Sequence, residues 1–257
     1  MPNRFKPRLA AWPIDPVLRR LRAFGASLEP ELALVRAAAD RRFRHGPGEE
    51  LLGLGASPRR PRFVVAGWAA CQRALPDGRR QILRFILPGD AMGLAPKSAR
   101  GAGWSIVAMT AVETFDAEPA LEAAESGAAP GLAAAFAAMA AKDEELLIDH
   151  MVRLGRQTAY ERVAHFLLEL QRRLQLVGLG DSQRFPLPLT QEMLADALGL
   201  SIVHVNRTLQ QLRRDRLIEL RSGVAILLDP PALNRVSGYA AASSFRPASA
   251  TAAPQPA

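Results

Sequence analysis

Two helical patterns follow each other closely in residues 189–220. The first has apolar residues at helical spacing, namely Met193, Leu194, Ala197 and Leu198. Thr190 precedes it as a candidate N-cap, and Gly199 follows it as a candidate left-handed C-cap. The second helix begins after Ser201 and carries a stripe that we expect to be buried, formed by Val205, Leu209 and Leu212. Two short helices joined by a tight turn predict a helix-turn-helix.

The polar positions of the second helix distinguish it from an ordinary helical hairpin. Residues able to form hydrogen bonds crowd this short segment: Ser201, His204, Asn206, Arg207, Gln210, Arg213 and Arg214. Beyond it, residues 218–221 alternate between apolar and charged, Ser222-Gly223 predicts a turn, and residues 224–228 predict a returning strand. A helix-turn-helix followed by a hairpin is a winged helix, whose second helix is shaped to enter the major groove of DNA.

Short strand patterns separated by Gly and Pro occupy the chain upstream, after Ala39 and as far as Phe115. The clearest is a hairpin with Asp77-Gly78 at its turn, a dipeptide typical of tight β-turns. One or two short helices around Pro30 are predicted before these strands. Several short strands at close spacing predict a β-barrel or β-roll.

A long helical pattern connects the strands to the helix-turn-helix. It runs from Pro130 for about 25 residues, with Gly155 expected to end it, and a second amphipathic helix follows over residues 158–176. Its apolar positions include Leu132, Phe136, Met139, Leu146, Leu147 and Met151. We expect this side to face a second copy of the same helix. The alternative is a helix packed only on its own domain.

Charge and cysteine content limit the binding partners and the cysteine-based sites that we expect for this protein. The net charge is +8 and the isoelectric point about 10.8, and residues 151–225 hold 11 Lys/Arg against 7 Asp/Glu. A basic surface suits a polyanion, although an arginine-rich chain is also what a GC-rich genome encodes. The single cysteine, Cys71, excludes an internal disulfide and a cysteine-ligated iron–sulfur cluster. With no apolar run of membrane-spanning length and no signal-peptide pattern, we expect a cytoplasmic protein.

Three segments carry a resemblance to a known family. They are LPDGRRQILRFILPGD at 75–90, GRQTAYERVAHFLLEL at 155–170 and LTQEMLADALGLSIVHVNRTLQQLRRDRLIEL at 189–220. Together with the element order, they make residues 18–233 resemble the Crp/Fnr family of bacterial transcription regulators. The resemblance implies an α+β fold and a homodimer that regulates transcription on palindromic double-stranded DNA, with RNA polymerase as a further partner.

The resemblance also implies a division of the chain. We expect a flexible N-terminus at 1–16, a cyclic-nucleotide-binding-like β-roll at 17–129, a dimerisation helix at 130–155, a winged helix at 156–233 and a disordered tail at 241–257. The six apolar residues listed above for the long helix are the expected dimer contacts.

The residues expected at the ligand position of the roll depart from the nucleotide-binding pattern. Cyclic-nucleotide-binding members carry Gly-Glu for the ribose and then an Arg for the phosphate, whereas this chain has Gly93-Leu94 and Ala102, with Arg100 two positions out of register. A phosphodiester needs a paired positive charge, so the sequence argues against cyclic AMP. His45 and Cys71 are the only candidate haem ligands in the roll. The sequence identifies no effector. A regulator that needs no effector is one of the alternatives.

The resemblance places a base-reading arginine at Arg207, whose guanidinium can bond O6 and N7 of one guanine. Asn206 is a candidate reader of adenine. Val203 stands where cyclic-AMP- and oxygen-responsive members have Glu, so we expect a different half-site. Ser201 and His204 are candidate phosphate or edge contacts, and Thr190, Gln191 and Ser222 are candidate contacts to the DNA backbone that set the register.

Two other classes of function are consistent with these features of the sequence. A non-specific architectural DNA-binding protein has the same basic winged helix, and a haem-based gas sensor has the same fold. No nucleophile–base set, phosphate loop or metal-ligand cluster is recognisable, so we do not expect an enzyme or a metal site.

Overall fold

The computed structural model describes residues 14–26, 28–96 and 98–238. The chain begins with two short helices, α1 (Asp15–Ala23) and α2 (Glu29–Ala38). Each has a proline in its first turn, where a missing N–H removes no helical hydrogen bond. The expected flexible segment was therefore too long, since Asp15 and Pro16 belong to α1. Residues 1–13 and the expected tail at 241–257 lie outside the described residues.

Eight antiparallel strands form two four-stranded sheets. The strands are β1 (Arg42–His45), β2 (Glu50–Leu52), β3 (Arg59–Ala66), β4 (Ala69–Ala74), β5 (Arg80–Ile86), β6 (Ala91–Leu94), β7 (Ser105–Ala108) and β8 (Val112–Asp116). One sheet has the order β1-β8-β3-β6 and the other β2-β7-β4-β5. Apolar side chains from both sheets, including Val64, Val112, Ile86 and Ile106, form a core between them. This arrangement confirms the predicted roll.

A second core lies on the outer side of the first sheet. Phe63 and Phe115 have ring centroids 5.2 Å apart, and Phe63 stacks on Phe136 at 6.0 Å. Phe136 belongs to the long helix α4 (Pro130–Arg156), which follows α3 (Glu118–Glu125). The helix has 27 residues and continues through Gly155, where the sequence led us to expect its end. One glycine in a helix costs only about 1 kcal/mol relative to alanine, which packing over the rest of α4 offsets.

The burial of α4 corrects the expected dimer contacts. Four of the six predicted residues are buried within the subunit, and these are Leu132, Phe136, Met139 and Leu146. The first three pack against α1, α2 and the first sheet, so none of the four presents a surface to another chain. Leu147 and Met151 are exposed, together with Ile148 and Val152.

The next helix, α5 (Ala159–Leu176), joins the roll to the C-terminal part. It begins with a capping box, in which the Thr158 hydroxyl and the Glu161 carboxylate each accept a backbone N–H of the other. Phe166 on α5 lies 5.7 Å from Phe85 of β5 between ring centroids. Phe85 and Trp68 of the roll belong to the same hydrophobic core as the C-terminal helices. The two parts of the molecule therefore share one core.

The C-terminal part is a winged helix. It contains β9 (Arg184–Pro186), α6 (Gln191–Leu198), α7 (Ile202–Arg214), β10 (Ile218–Arg221), β11 (Val224–Leu227) and α8 (Pro230–Ser237). The predicted hairpin of β10 and β11 is confirmed, with Ser222-Gly223 at its turn. Residues 184–186 pair with β11 as the third strand of this sheet, which the sequence analysis did not predict. None of the helices in the described ranges is long and apolar enough to cross a bilayer.

Candidate nucleic-acid interface

The recognition helix α7 has two sharply different sides. Its inner side carries Val205, Thr208, Leu209 and Leu212, all of which are buried. This confirms the predicted stripe. Its outer side carries the predicted DNA contacts, which are all exposed: Ser201, Val203, His204, Asn206 and Arg207. The pattern of apolar and polar residues along α7 therefore determines which side of the helix faces outward.

Both helices of the helix-turn-helix are capped by the predicted hydroxyls. Thr190 Oγ1 accepts the N–H of Met193 at 3.1 Å, and Ser201 Oγ accepts the N–H of His204 at 3.2 Å. Each hydroxyl hydrogen remains able to donate, and Thr190 and Ser201 are exposed. Such groups at helix N-termini suit phosphate oxygens, since unpaired N–H groups and the helix dipole attract anions there.

Arg207 projects from the outer side of α7 without an intramolecular partner in the described part of the chain. Its neighbour Asn206 differs, because Asn206 Oδ1 accepts a hydrogen bond from Gln210 Nε2 at 3.2 Å. This bond orients the Asn206 amide and leaves its N–H groups to donate. Val203, with 70% of its side chain exposed, offers only apolar contact. Ile202 beside it is also exposed, an apolar contribution that the sequence interpretation missed.

The wing presents a second exposed edge. Ser222 and Gly223 form its turn with φ values of 49° and 77°. A left-handed conformation is unusual for serine, and it exposes the Ser222 side chain at the tip of the hairpin. Gln191 is exposed at the start of α6.

Tyr160 anchors the far end of α7. Its hydroxyl donates to Asp215 Oδ2 at 2.6 Å, immediately after the helix ends. Burial and this hydrogen bond raise the pKa of Tyr160 to about 12, so the phenol stays protonated and the bond persists.

A cavity of about 200 Å³ lies between the roll and α4. Gly93, Leu94 and Ala95, the segment in which the resemblance implies Gly-Glu for a nucleotide-binding member, form part of its lining. Ala102, near which the resemblance places a phosphate-binding arginine in nucleotide-binding members, is buried, whereas Arg100 is exposed and does not line the cavity.

The charged groups that line this cavity neutralise one another. Arg20 Nη1 lies 3.1 Å from Asp90 Oδ1, and Arg84 pairs with Asp143. Both arginines that line the cavity in the described chain are therefore paired with carboxylates.

The candidate haem ligands lie in different sheets. Both ring nitrogens of His45 on β1 have partners, since Nδ1 lies 2.7 Å from Glu49 Oε1 and Nε2 lies 3.3 Å from Thr114 Oγ1. Cys71 on β4 is buried, and burial raises the pKa of its thiol to about 11. These residues do not form a ligand pair. In the described ranges, no three His, Cys, Asp or Glu side chains are grouped to hold a metal ion.

Comparison with known proteins agrees with this geometry. Residues 161–236 match the Crp-like helix-turn-helix domain. The chain is 37% identical to the nitrogen fixation regulation protein FixK of Bradyrhizobium diazoefficiens, over 70% of this chain and 73% of the relative. It is 34% identical to the transcriptional activatory protein AadR of Rhodopseudomonas palustris, over 73% and 77% of the two chains.

Solved structures give the same result. The structure of FixK2 from Bradyrhizobium japonicum superposes with a TM-score of 0.66 and 30% identity, covering 78% of this chain and 98% of that chain. A Crp family regulator from Thermus thermophilus superposes with a TM-score of 0.58 and 25% identity, covering 77% and 97%. Both curated relatives are named for regulatory roles, in nitrogen fixation and as a transcriptional activator. This chain belongs to the Crp/Fnr family of DNA-binding bacterial transcription regulators.

Proposed function

We propose that this regulator acts in the cytoplasm as a homodimer on a palindromic promoter site. The observation that carries the proposal is the outer side of α7, where Arg207 is exposed and has no partner in the described chain. A free guanidinium on a helix shaped for the major groove is the group that reads guanine by two hydrogen bonds.

The other exposed side chains differ in the DNA groups that they can contact. Asn206, oriented by Gln210, presents amide N–H groups to a base edge. Val203 contacts a thymine methyl and accepts no hydrogen bond from cytosine. His204 and Ser201 contact phosphates or base edges, whereas Thr190, Gln191 and Ser222 contact the DNA backbone and set the register. The half-site therefore differs from sites read with a glutamate at the position of Val203.

The dimer interface in this proposal is smaller than the sequence suggested. It is the exposed apolar patch near the end of α4, which consists of Leu147, Ile148, Met151 and Val152. Each of these four side chains is 47% to 58% exposed, at a spacing that places them on one side of the helix. Toward the N-terminus the same side carries exposed Glu144 and then the exposed alanines Ala141, Ala137 and Ala134, whose small side chains let two helices approach closely. A second α4 is the partner whose shape and polarity match.

The roll (residues 17–129) then serves as a sensory domain without the groups for a cyclic nucleotide. Its cavity contains paired charges, which supports a loss of the phosphate-binding function. RNA polymerase is the further partner that a promoter-bound regulator contacts. We assign no effector.

Binding-site selection with the full chain and random duplex DNA tests the proposal. We expect enrichment of a palindrome whose half-site centres lie about one helical turn, or about 34 Å, apart. An architectural protein would enrich no sequence, and a monomeric reader would enrich a single asymmetric half-site. Either result would contradict the proposal.

A further inference from the structure

The last three residues of α6 are each held by a side chain from outside the helix-turn-helix. Arg80 Nε on β5 lies 2.6 Å from Asp196 Oδ2. Gln81 Nε2 on the same strand donates to the Ala197 carbonyl at 3.3 Å. Arg162 Nη1 on α5 donates to the Leu198 carbonyl at 2.7 Å. The roll and α5 thus bind the same end of the first helix of the motif.

These contacts follow from the chemistry of a helix end. The final carbonyls of a helix have no intrahelical donor, and their partial negative charge favours cationic donors. Gly199 ends α6 in the left-handed conformation with φ of 62°, and Leu200 N–H bonds the Ala195 carbonyl. The carbonyls of Ala197 and Leu198 take their donors from the rest of the molecule.

Arg162 also reaches the junction between α4 and α5. Its Nη2 donates to the carbonyls of Leu154 and Gln157, each at 3.0 Å. One guanidinium therefore connects the end of α4, the linker after it and the end of α6. Because α4 carries the proposed dimer patch, this side chain relates α6 of each subunit directly to the dimer axis.

The position of α6 determines the position of the recognition helix. The turn between α6 and α7 is only three residues long, and the buried faces of the two helices share one core with α5. A change in the angle of α6 on the roll therefore moves α7. In a dimer, the two copies of α7 must match a fixed half-site spacing on DNA.

From these contacts, and resting on the proposed function, we infer that Arg80, Gln81 and Arg162 are positioning residues for DNA binding. They hold α6 at one angle to the roll and to α4, and so set the half-site spacing that the dimer accepts. They contact no DNA, and their effect is expected only when both half-sites must be engaged together.

The pair of Arg80 and Asp196 allows a test by charge exchange. Both side chains are part-exposed, at 31% and 22%, so single changes leave the core intact. Arg80→Asp and Asp196→Arg each place like charges together, and the double variant restores an opposite pair in reverse. Arg79→Asp is the control with the same change of charge as Arg80→Asp, since the Arg79 side chain is 77% exposed and, within the described residues, pairs with Asp77 at the hairpin turn.

Binding of each full-length variant is measured by fluorescence anisotropy on three duplexes: the selected palindrome, the same palindrome with one added central base pair, and an isolated half-site. Wild type should prefer the correct spacing. In each single variant this preference should fall by about threefold to tenfold, the range for one part-exposed pair acting in each subunit. For Arg80→Asp, half-site affinity should match that of Arg79→Asp, which makes the same change of charge, and the double variant should regain the preference.

Three results would overturn the inference: an unchanged spacing preference, an equal loss on the palindrome and the half-site, or a double variant that fails to recover. If Arg80→Asp does not fold, Arg80→Gln removes the pair without repulsion, and a smaller loss of spacing preference is expected. A wild-type protein without any palindrome preference would instead reject the proposed function itself.

Discussion

Arg173 Nη2 lies 2.7 Å from Asp90 Oδ2, and both side chains are buried. This ion pair joins α5 to the turn that precedes β6. Asp90 also pairs with Arg20 of α1, and Arg173 also pairs with Glu169. Arg153 of α4 extends the network to Glu169 at 2.8 Å. Helices from three regions of the chain are thereby fixed to the roll through charges that water does not reach.

Asp90→Asn is predicted to lower the free energy of unfolding by about 3–5 kcal/mol, because it leaves Arg20 and Arg173 as buried cations without their shared anion. Burial alone disfavours the charged carboxyl, but Arg20 and Arg173 outweigh it and keep the pKa of Asp90 below its ordinary value. Urea unfolding at pH 7 measures the change. Asp77→Asn, at an exposed turn, is the control and should leave the stability close to wild type. Equal stabilities of the two variants would show that the network contributes nothing.

Two buried histidines predict a loss of stability in mild acid. Burial, with Arg153 nearby, lowers the pKa of both His150 and His165 to about 4. The unfolded chain binds protons near pH 6.5, whereas the folded chain does not, so stability is full above pH 6.5 and falls as the pH drops toward 4. Between pH 7 and pH 5, each histidine is expected to lower the free energy of unfolding by about 2 kcal/mol.

The measurement is urea unfolding of wild type, His150→Gln and His165→Gln at pH 7 and pH 5. Each variant should lose less stability on acidification than wild type, whatever its stability at pH 7. An identical pH dependence in all three proteins would contradict burial of the neutral imidazoles.

The winged helix was predictable from sequence because its signals are local. Thr190, Gly199 and Ser201 act within one turn of the helices that they begin or end. The roll was recognisable for the same reason, through turns such as Asp77-Gly78. The third strand of the wing sheet was missed because residues 184–186 pair with β11, about 40 residues away, and carry no alternating pattern of their own.

The sequence did not predict which apolar residues of α4 are buried within the subunit and which remain exposed. Periodicity identifies an apolar stripe, but it does not say whether the same chain or another chain covers it. Met139 and Ile148 both fit the helical pattern, yet Met139 is 3% exposed and Ile148 is 49% exposed. The contact of Arg80 with Asp196 spans 116 positions. No local pattern pairs such distant residues.

Ile148→Asp is predicted to weaken the dimer without unfolding the subunit, because it places a carboxylate in the proposed apolar interface. The dimer dissociation constant should rise about 100-fold, or about 3 kcal/mol. Sedimentation equilibrium measures the assembly, and thermal unfolding monitors the fold. Leu54→Asp is the control, as Leu54 is 72% exposed in the turn after β2.

Met139→Asp should behave differently from Ile148→Asp. Met139 is buried between α4 and the first sheet, so an ionised carboxylate there lowers the stability of the subunit itself. A normal dimer in Ile148→Asp would reject the patch at 147–152 as the interface.

Arg207→Lys is predicted to separate specific from non-specific binding. Lysine keeps the positive charge and the attraction to phosphate, but it lacks the planar fork that bonds O6 and N7 of guanine together. Affinity for the selected palindrome should fall by about 10- to 100-fold for each half-site, while affinity for scrambled duplex DNA stays near wild type. Arg213→Lys makes the same change on the same helix and should keep the preference for the palindrome. If both variants lost the preference equally, Arg207 would have no special role in base recognition, and α7 would contact DNA as a charged surface only.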